Sequence, residues 1–503
     1  MDTINKEINE YGINEGLNKT NSLEEFYAGS GILVTGATGF IGIGLLEKLM
    51  RLCPRVATIF ILLRPKTNET IEQRLKKIID DPIYDNIKAK HPSVLSKVYP
   101  VKGDVGLPDL GLSREDRNLL LEKVNIVFHA AATVIFNEPL HVAVNVNTKG
   151  TARVIELWNE LKHPISFVHV STAFSNANLH EIEEKVYTTS LNPSEVIDMC
   201  DKFDKTSINE IEKMILKTYP NTYLFSKNLA EQIVASKCKD LPVAIVRPSI
   251  VGASLEEPCP GWIHNVSALT GTILLVSKGC ATAILARKDA RLDLVPLDFV
   301  VDTIICTAWH VTLLRDRKVK VYNCTSNASP FKWGQLKDAV VKYSRETPLN
   351  DTLWYPGCPM ITNSYIYVLS VIPYVLSAFV IDVLLRLRGG KPIMMKLLKK
   401  GNKLYKLTAF CTMSEWTFQK DNCSDLARTV KMLSDCDMVR LDLRDMNWEK
   451  YIPTYLVGIR KFILKEEFKS TARQRLSRLY WVHQITKISG IIMLLWIILC
   501  LVY

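Results

Sequence analysis

The sequence of 503 residues lacks several features that would assign it to a class directly. No two of its twelve cysteines are spaced as Cys-x-x-Cys, so a zinc module or a thioredoxin-like site is not expected and no metal site is predicted. The first 21 residues contain no basic segment followed by an apolar one, and they therefore do not read as a secretory signal. The cysteine pattern fits a reduced compartment best.

Internal repeats and Gly/Ser-rich linkers are also missing. With 48% hydrophobic and 23% charged residues the chain is not disordered, and its length predicts two or three domains of about 150 residues each. The net charge of +11 suits nucleic acid, an anionic membrane or a polyanionic ligand, and its location has to decide among them. Strand-like runs alternate with helical patterns up to about residue 350, and mostly helical patterns follow.

Charge is absent from the end of the chain. No charged residue occurs between Ile488 and Tyr503, whereas three arginines and Lys487 lie just before this run. Cations beside an apolar run are typical of the cytoplasmic side of a membrane. The pattern predicts a basic flank and transmembrane anchor over residues 473–503, with a buried helix as the alternative.

A second apolar stretch covers Tyr365–Ile381. The segment that follows, from Leu384 to Ser414, contains eight cations and no acidic residue. This combination fits a surface that faces anionic lipid head groups, and it fits a core helix followed by a solvated basic face equally well. The sequence leaves both readings open.

A nucleotide site is indicated by GILVTG, residues 31–36, a short apolar run of the kind that forms a buried parallel strand. Gly36, Gly39 and Gly42 follow at three-residue intervals before the helical LLEKLMR. Such glycines permit a tight turn, close approach of a pyrophosphate and close helix packing, while the helix N-terminus attracts phosphate. Because the glycines lie between a predicted strand and a predicted helix, they indicate a dinucleotide-binding turn more strongly than their spacing alone would.

The next strand-like run distinguishes between the nicotinamide cofactors. It ends in Arg64-Pro65-Lys66, and no acidic residue occurs between Val56 and Asn68. A carboxylate there would bind the ribose hydroxyl of NAD, whereas a guanidinium binds the 2′-phosphate of NADP. The sequence therefore predicts NADPH. Asp104, at a later strand end, is a candidate for the adenine amino group, and His129 is a candidate base whose more frequent role would be structural.

The chemical site is predicted from a hydroxyl-tipped strand and a helix. The strand-like ISFVHVST ends in Ser171 and Thr172, and Tyr223 and Lys227 share a helix face further along the chain. A lysine ammonium is expected to lower the pKa of the phenol, which then protonates an oxygen that becomes negative as hydride arrives. Tyr84 and Lys88 have the same spacing, but they follow no hydroxyl-tipped strand.

These motifs together resemble an extended short-chain dehydrogenase/reductase. The segments LLRPK, GDVGLPDLGLS, FHAAATVIFNE, FVHVSTAFSN, EEPCPGWIHN and PLDFVVD more specifically resemble the alcohol-forming fatty acyl-CoA reductases, the insect branch in particular. EWTFQKDN, MNWEKY and VGIRKFILKE look like the C-terminal helical domain of that family, so that the resemblance extends from about Glu25 to Glu467.

The resemblance implies a Rossmann-like doubly wound parallel sheet with a C-terminal helical domain and anchor. Its domains would be a polar tail (residues 1–24), the NADP-binding reductase domain with the substrate-binding part (25–350), the helical domain (351–472) and the anchor (473–503). The catalytic residues would be Tyr223, Lys227, Thr172 or Ser171, and Asn147. The cofactor-binding residues would be Gly36, Thr38, Gly39, Phe40, Ile41, Gly42, Arg64, Lys66, Asp104, Val105, Ala130, Ala131, Lys227 and Pro248.

The family pattern further implies reduction of a long-chain fatty acyl-CoA to a primary alcohol and free CoA, through an aldehyde, with two NADPH. Membrane lipid is an expected partner, nucleic acid is not, and a homo-oligomer is left open. The enzyme would lie on an intracellular membrane (endoplasmic reticulum first, peroxisome or lipid droplet as alternatives) with its catalytic domain facing the cytosol. The competing hypotheses are a related reductase acting on a sterol or a nucleotide sugar, an inactive NADP-sensing protein and a membrane scaffold.

Overall fold

The computed structural model describes residues 21–189, 191–238, 241–281, 283–314, 318–387 and 389–502. Most of the predicted polar tail, residues 1–20, therefore lies outside the described residues, as does Tyr503 at the end of the predicted anchor.

A seven-stranded parallel sheet forms the centre of the molecule. Its strands are β1 (Gly31–Thr35), β2 (Thr58–Leu63), β3 (Val98–Lys102), β4 (Ile126–His129), β5 (Ser166–Val170), β6 (Val243–Pro248) and β7 (Lys320–Cys324). Their spatial order is β3-β2-β1-β4-β5-β6-β7. This order reverses direction beside β1, so the carboxyl ends of β1 and β4 flank the crevice in which such sheets bind ligands.

Helices cover both faces of the sheet, because its central strands are apolar on both sides. Ile32 and Val34 of β1 pack in the same cluster as helices Phe40–Leu52 and Leu297–Leu313, whereas Leu33 packs on the opposite face with helices Gly150–Glu160 and Thr222–Lys237. The predicted doubly wound α/β fold is therefore confirmed.

The remaining elements connect or extend this sheet. The other α-helices are Leu23–Tyr27, Ile71–Ile79, Asp85–Lys90, Pro92–Leu95, Arg114–Lys123, Leu140–Ala143, Pro193–Lys202, Lys205–Leu216, Ala268–Ser277, Trp333–Glu346, Ser364–Leu387, Met394–Met413, Asp421–Val430, Trp448–Gly458 and Thr471–Val502. Short parallel pairs join Glu181–Ile182 to Thr417–Phe418, Ile250–Gly252 to Leu294–Pro296, and Ile284–Leu285 to Met360–Ile361.

A second core joins the C-terminal helices to the reductase part. It combines residues that precede position 350, such as Ile263, Ile273 and Leu336, with Tyr405 and Tyr451. The packing thus crosses the predicted domain boundary at residue 350, and the boundary itself stays a prediction.

Within the described residues, Ser364–Leu387 is long and apolar enough to cross a membrane. Its mean hydropathy is 2.3 over the most apolar window, of which 12% is buried. The predicted anchor falls in the helix Thr471–Val502, where Ile492 and Trp496 are exposed. A membrane-spanning role for the C-terminal run stays a prediction.

Two helical glycines test how the C-terminal helices attach. A Cβ on Gly458 would lie 1.7 Å from the carbonyl oxygen of Gly261, whereas a Cβ on Gly401 would meet its nearest atom, Cδ1 of Leu275, at 3.4 Å. Alanine is the better helix former at both positions. We nevertheless expect Gly458→Ala to destabilise the protein by about 2 kcal/mol through steric overlap, and Gly401→Ala to leave its stability unchanged or raised. Thermal unfolding of both variants measures this, and equal melting temperatures would contradict the expectation.

Candidate active site

The turn after β1 has the shape that a pyrophosphate requires. Gly36 has a φ of +76°, and a Cβ at this position would lie 2.7 Å from the backbone of Ala130 and Ala131 at the end of β4. A Cβ on Gly42 would lie 2.1 Å from the carbonyl oxygen of Gly36. Gly39 is the N-cap of helix Phe40–Leu52 and contributes no capping side chain. The cradle therefore has room for phosphate oxygens at a helix N-terminus, and it fits a dinucleotide.

The cations predicted after β2 are available to a ligand. Arg64 and Lys66 are both exposed, and the carbonyl oxygen of Arg64 accepts a hydrogen bond from the guanidinium of Arg74. This contact of Arg74 supports the Arg64 loop. Glu69, the first acidic residue after β2, forms an ion pair with Lys77.

The loop after β3 is held by hydrogen bonds to its own backbone. The carboxylate of Asp104 accepts from the backbone N–H of Gly106 at 2.9 Å, and the side-chain amide of Asn145 donates to the Gly106 carbonyl at 2.9 Å. A guanidinium nitrogen of Arg153 donates to the carbonyl of Val105 at 2.8 Å. Asn145 and Arg153 were not predicted from the sequence, since their partners come from a different part of the chain.

His129 serves as a link between two hydroxyl groups in this structure. Its Nδ1 lies 2.7 Å from Oγ1 of Thr35, and its Nε2 lies 3.0 Å from Oγ1 of Thr151. Burial, together with the charge of Lys227, lowers the pKa of His129 to about 3. An imidazole with such a low pKa stays neutral at physiological pH, which favours the structural role over that of a base.

The strand-tip hydroxyls of β5 have different partners. Ser171 donates a hydrogen bond from Oγ to the buried carboxylate of Glu231 at 2.5 Å. The hydroxyl of Thr172 lies close enough to the phenol of Tyr223 to lower its pKa, and its Oγ1 accepts from the backbone N–H of Phe174 at 3.3 Å. Of the two alternatives that the sequence left open, the geometry thus brings Thr172 to the tyrosine and commits Ser171 to the protein interior.

Tyr223 and Lys227 lie one turn apart on the helix Thr222–Lys237, as expected. The ammonium of Lys227 donates to the carbonyl of Val170, at the end of β5, with a distance of 2.7 Å. Burial lowers the pKa of Lys227 to about 8, although the carboxylate of Glu231 opposes this shift.

The expected lowering of the tyrosine pKa is not observed. Burial raises the pKa of Tyr223 to about 12, and the nearby hydroxyl of Thr172 only partly opposes this shift. The reason is geometric, because the ammonium of Lys227 is directed at Val170 and the phenol is desolvated by its surroundings. Tyr223 is therefore a protonated hydrogen-bond donor at neutral pH.

Beneath these residues lies an ion pair that the sequence did not reveal. Glu231 and Arg247 have no exposed side-chain surface, and their closest charged atoms are 2.6 Å apart. Glu231 also accepts from Ser171 and from Ser175, while Arg247 donates to backbone carbonyls in the segment 183–185. The only available signal was the i, i+4 spacing of Lys227 and Glu231, which many solvated helices share.

Asn147 connects the cofactor side of the site to the tyrosine helix. It lies in a π-helical turn, Val144–Lys149, and its side chain both accepts from the N–H of Thr133 at 2.9 Å and donates to the hydroxyl of Ser226 at 3.0 Å. A π-helical turn often marks a functional position. Here it places the asparagine between the end of β4 and the helix that carries Tyr223.

An aromatic wall borders the phenol. The ring of Phe136 stacks on Tyr223 with a centroid distance of 5.9 Å, and Phe410 from the helix Met394–Met413 contacts Phe136 edge-on at 5.8 Å. Next to this wall a crevice lies between the reductase part and the C-terminal segments. Its lining is mixed: it includes the apolar Phe174, Ile250, Phe331, Trp333, Trp416 and Phe418 and the polar Arg291, Asp293, Ser326 and Asn327.

The remaining predicted residues take up positions around this edge of the sheet. Thr38 is exposed in the glycine turn, Phe40 and Ile41 begin the helix, and Pro248 ends β6. Cys259 is half-buried, and burial raises the pKa of its thiol, so that it is a poor nucleophile.

Comparisons with known proteins agree along nearly the whole chain. Two family models described as male sterility protein match residues 34–304 and 373–466. Fatty acyl-CoA reductase 1 of Mus musculus is 36% identical over 462 residues, which cover 91% of this chain and 90% of the mouse protein. Fatty acyl-CoA reductase 2 of Bos taurus is 34% identical over the same shares of the two chains.

Among solved structures, the reductase domain of a nonribosomal peptide synthetase from Mycobacterium tuberculosis matches with a TM-score of 0.58 and 18% identity. The match covers 90% of this chain and 97% of that domain. The terminal R domain from the myxalamid pathway matches with a TM-score of 0.57 and 19% identity over 92% and 99% of the two chains. At these identities the likeness establishes the fold.

The pKa of Lys227 predicts a pH dependence of stability. Between pH 8 and 10.5 the folded protein has released this proton while the unfolded chain still holds it, so stability should rise with pH in this window. The free energy of unfolding of the wild type minus that of Lys227→Met should increase by about 2–4 kcal/mol between pH 7 and pH 10.5. Urea unfolding in detergent measures the difference. The control is Lys123→Met, because Lys123 is exposed. If the wild type gained as much stability relative to Lys123→Met over this pH range, the interpretation would be contradicted.

Proposed function

The chain belongs to the fatty acyl-CoA reductase family, and from this we propose that it reduces a long-chain fatty acyl-CoA to the primary alcohol through the aldehyde, using two NADPH. The observation that carries the proposal is the grouping of Thr172, Tyr223 and Lys227 at the same sheet edge as the glycine cradle, beside an aromatic crevice. A nicotinamide cofactor follows from the NAD-binding family and the reductase fold. The choice of NADPH and the alcohol product are parts of the proposal.

The preference for NADPH is supported by the charges at the end of β2. Arg64 and Lys66 are exposed there, and Glu69, the first acidic residue after β2, is paired with Lys77. Arg64 would bind the 2′-phosphate through charge-assisted hydrogen bonds, while Gly36, Gly39 and Gly42 would admit the pyrophosphate. Asp104 and Ala131 would border the adenosine and nicotinamide portions respectively.

The roles of the catalytic groups follow from their protonation states. When bound, a reduced nicotinamide would supply hydride for the carbonyl carbon. The protonated phenol of Tyr223 and the hydroxyl of Thr172 donate hydrogen bonds to the carbonyl oxygen, on which negative charge develops. The thioester adduct then collapses and releases coenzyme A as a thiolate, leaving the aldehyde. In the second reduction Tyr223 transfers its proton to the alkoxide and is left as the phenolate.

The crevice beside Tyr223 is the proposed site of the acyl chain. Its lining combines aromatic side chains such as Phe174 and Trp416 with a polar group formed by Arg291, Asp293, Ser326 and Asn327. We assign the acyl chain to the aromatic part, since ligand pockets are lined mainly by apolar side chains with a few polar groups that orient the ligand. Cys259 takes no part, since its thiol stays protonated. All twelve cysteines are free, which supports a catalytic domain that faces a reducing compartment such as the cytosol.

Replacement of the phenol tests the chemistry. Tyr223→Phe removes the hydrogen-bond donor and should reduce alcohol formation from acyl-CoA and NADPH by at least about a thousandfold. Tyr84→Phe is the matched control, because Tyr84 has the same spacing to a lysine but donates only to the Ile43 carbonyl at 3.4 Å. Membranes that contain each variant are incubated with mixed-length acyl-CoAs, and alcohols and aldehydes are identified. Normal turnover by Tyr223→Phe would refute the scheme.

Replacement of Arg64 tests the cofactor preference. Arg64→Leu should raise the KM for NADPH by about tenfold to a hundredfold, because the 2′-phosphate loses its charged partner, and should leave the KM for NADH nearly unchanged. Arg117→Leu, which removes an arginine paired with Glu160 elsewhere, should alter neither constant. A wild type that uses NADH as well as NADPH would contradict the role of Arg64.

A further inference from the structure

Two helices of the C-terminal region form a hairpin on the surface of the protein. We call Ser364–Leu387 the apolar helix and Met394–Met413 the basic helix, and the two pack against each other. The carboxylate of Asp382, near the end of the apolar helix, accepts hydrogen bonds from the N–H groups of Met394 and Met395, both at 2.9 Å. One helix thereby caps the start of the other, which fixes the hairpin as a unit.

The apolar helix presents one face to the protein and another to its surroundings. Tyr367, Val371 and Ala378 are buried, the first two against Ala283. The opposite side carries large apolar side chains that are 48–83% exposed, namely Tyr365, Val368, Leu369, Ile372, Leu376 and Phe379. An exposed apolar surface of this extent marks an interaction site.

The basic helix supplies charge of one sign. Lys396, Lys399, Lys400, Lys403 and Lys406 recur at intervals of three, one, three and three residues, so they follow one side of the helix, and all five are exposed. No acidic residue occurs between Asp382 and Glu415. Apolar side chains next to unbalanced lysines are complementary to a lipid bilayer with anionic head groups.

The path of the chain excludes a simple membrane crossing by the apolar helix. The end of the basic helix is anchored in the reductase part, where Thr412 donates to the carbonyl of Leu285 at 2.6 Å and its own carbonyl accepts from Arg287 at 3.0 Å. If the apolar helix crossed the bilayer, the basic helix would have to carry five lysines back through hydrocarbon, which is highly unfavourable. The hairpin therefore belongs at the interface, on one side of the membrane.

From these observations we propose that the hairpin lies flat on an anionic bilayer, with the apolar helix in the boundary of head groups and acyl chains and the lysines on the phosphates. The basic helix also reaches the active site, because Phe410 follows Lys406 by one turn and contacts Phe136, which stacks on Tyr223. Cys411 lines the aromatic crevice. The crevice thus opens next to lipid, and an acyl chain passes into it directly from the bilayer. This last step rests on the proposed function, whereas the docking surface does not.

Photolabelling of the full-length chain tests the docking surface. The protein is reconstituted into vesicles of phosphatidylcholine, or of phosphatidylcholine with about one-third phosphatidylglycerol, that contain a diazirine lipid with its reactive group either near the head group or at the chain end. Labelled peptides are then mapped by mass spectrometry. We expect the apolar helix to be labelled mainly by the shallow probe, more in anionic vesicles, and less at about 1 M salt, where charges are screened within about 3 Å.

Two sets of lysine replacements test whether membrane binding depends on the lysines of the basic helix or on the overall positive charge of the protein. Replacing Lys396, Lys399 and Lys403 by Gln should lower labelling of the apolar helix by about tenfold or more, since each lysine near an anionic surface contributes about a fivefold change in binding. Replacing the exposed Lys90, Lys123 and Lys431 by Gln should leave it unchanged. Labelling confined to residues 488–502, equal labelling by the deep probe, or equal labelling of both variants would each overturn the proposal.

An activity assay distinguishes lipid from coenzyme A as the partner of the lysines. The three-lysine variant should retain the wild-type KM for a short acyl-CoA that stays in water and lose activity towards a long acyl-CoA presented in anionic vesicles. A raised KM for the short substrate would assign the lysines to the phosphates of coenzyme A and overturn the docking surface. If the wild type reduces neither substrate, the proposed function fails while the labelling result still decides the docking surface.

Discussion

The carboxylate of Glu231 and the guanidinium of Arg247 are both fully removed from water, and the geometry of the catalytic corner depends on their contact. A charge in such a place is tolerated only when it is paired and hydrogen-bonded, and loss of either partner is strongly destabilising. Glu231 meets this requirement by binding Ser171 and Ser175 as well as Arg247. It therefore joins the tip of β5 and strand β6 to the helix that carries Tyr223 and Lys227. The same side chain supplies the negative charge that partly offsets the desolvation of Lys227.

The electrostatic character of the site follows from what burial does to each group. His129 is kept neutral, Tyr223 is kept protonated, and Lys227 has a pKa of about 8, so that below this pH the site carries positive charge next to a proton donor. Such a site favours anions, which include both a pyrophosphate and the oxyanion that forms during reduction. Because Lys227 loses its proton more easily than a free lysine, the site is also sensitive to alkaline pH in a way that an exposed lysine would not be.

The parts of the molecule that the sequence predicted are those specified within a few residues. The glycine turn, the cations after β2 and the Tyr223–Lys227 spacing each lie in one short segment whose strand or helix is visible as a pattern. The choice between Ser171 and Thr172 required the position of Glu231, which lies 60 residues away from Ser171. The sign of the Tyr223 pKa shift was wrong because it depends on the direction of the Lys227 side chain and on burial, neither of which a spacing reveals. Phe410 escaped notice for the same reason, since its partner Phe136 is distant in sequence.

The position of the hairpin bears on how a hydrocarbon chain can reach a site of this kind. Each methylene group moved from an apolar environment into water costs about 0.8 kcal/mol, so a long acyl chain that crossed open water would meet a large barrier. The part of the crevice that is lined by Trp416 and Phe418 offers the acyl chain an apolar environment once the chain has left the bilayer. The basic helix links the two environments, because its lysines lie along one side while Phe410 and Cys411 lie at the end that lines the site. In the proposed arrangement the lysines hold the hairpin at the lipid phosphates, so that the acyl chain would pass between two apolar surroundings without exposing most of its length to water.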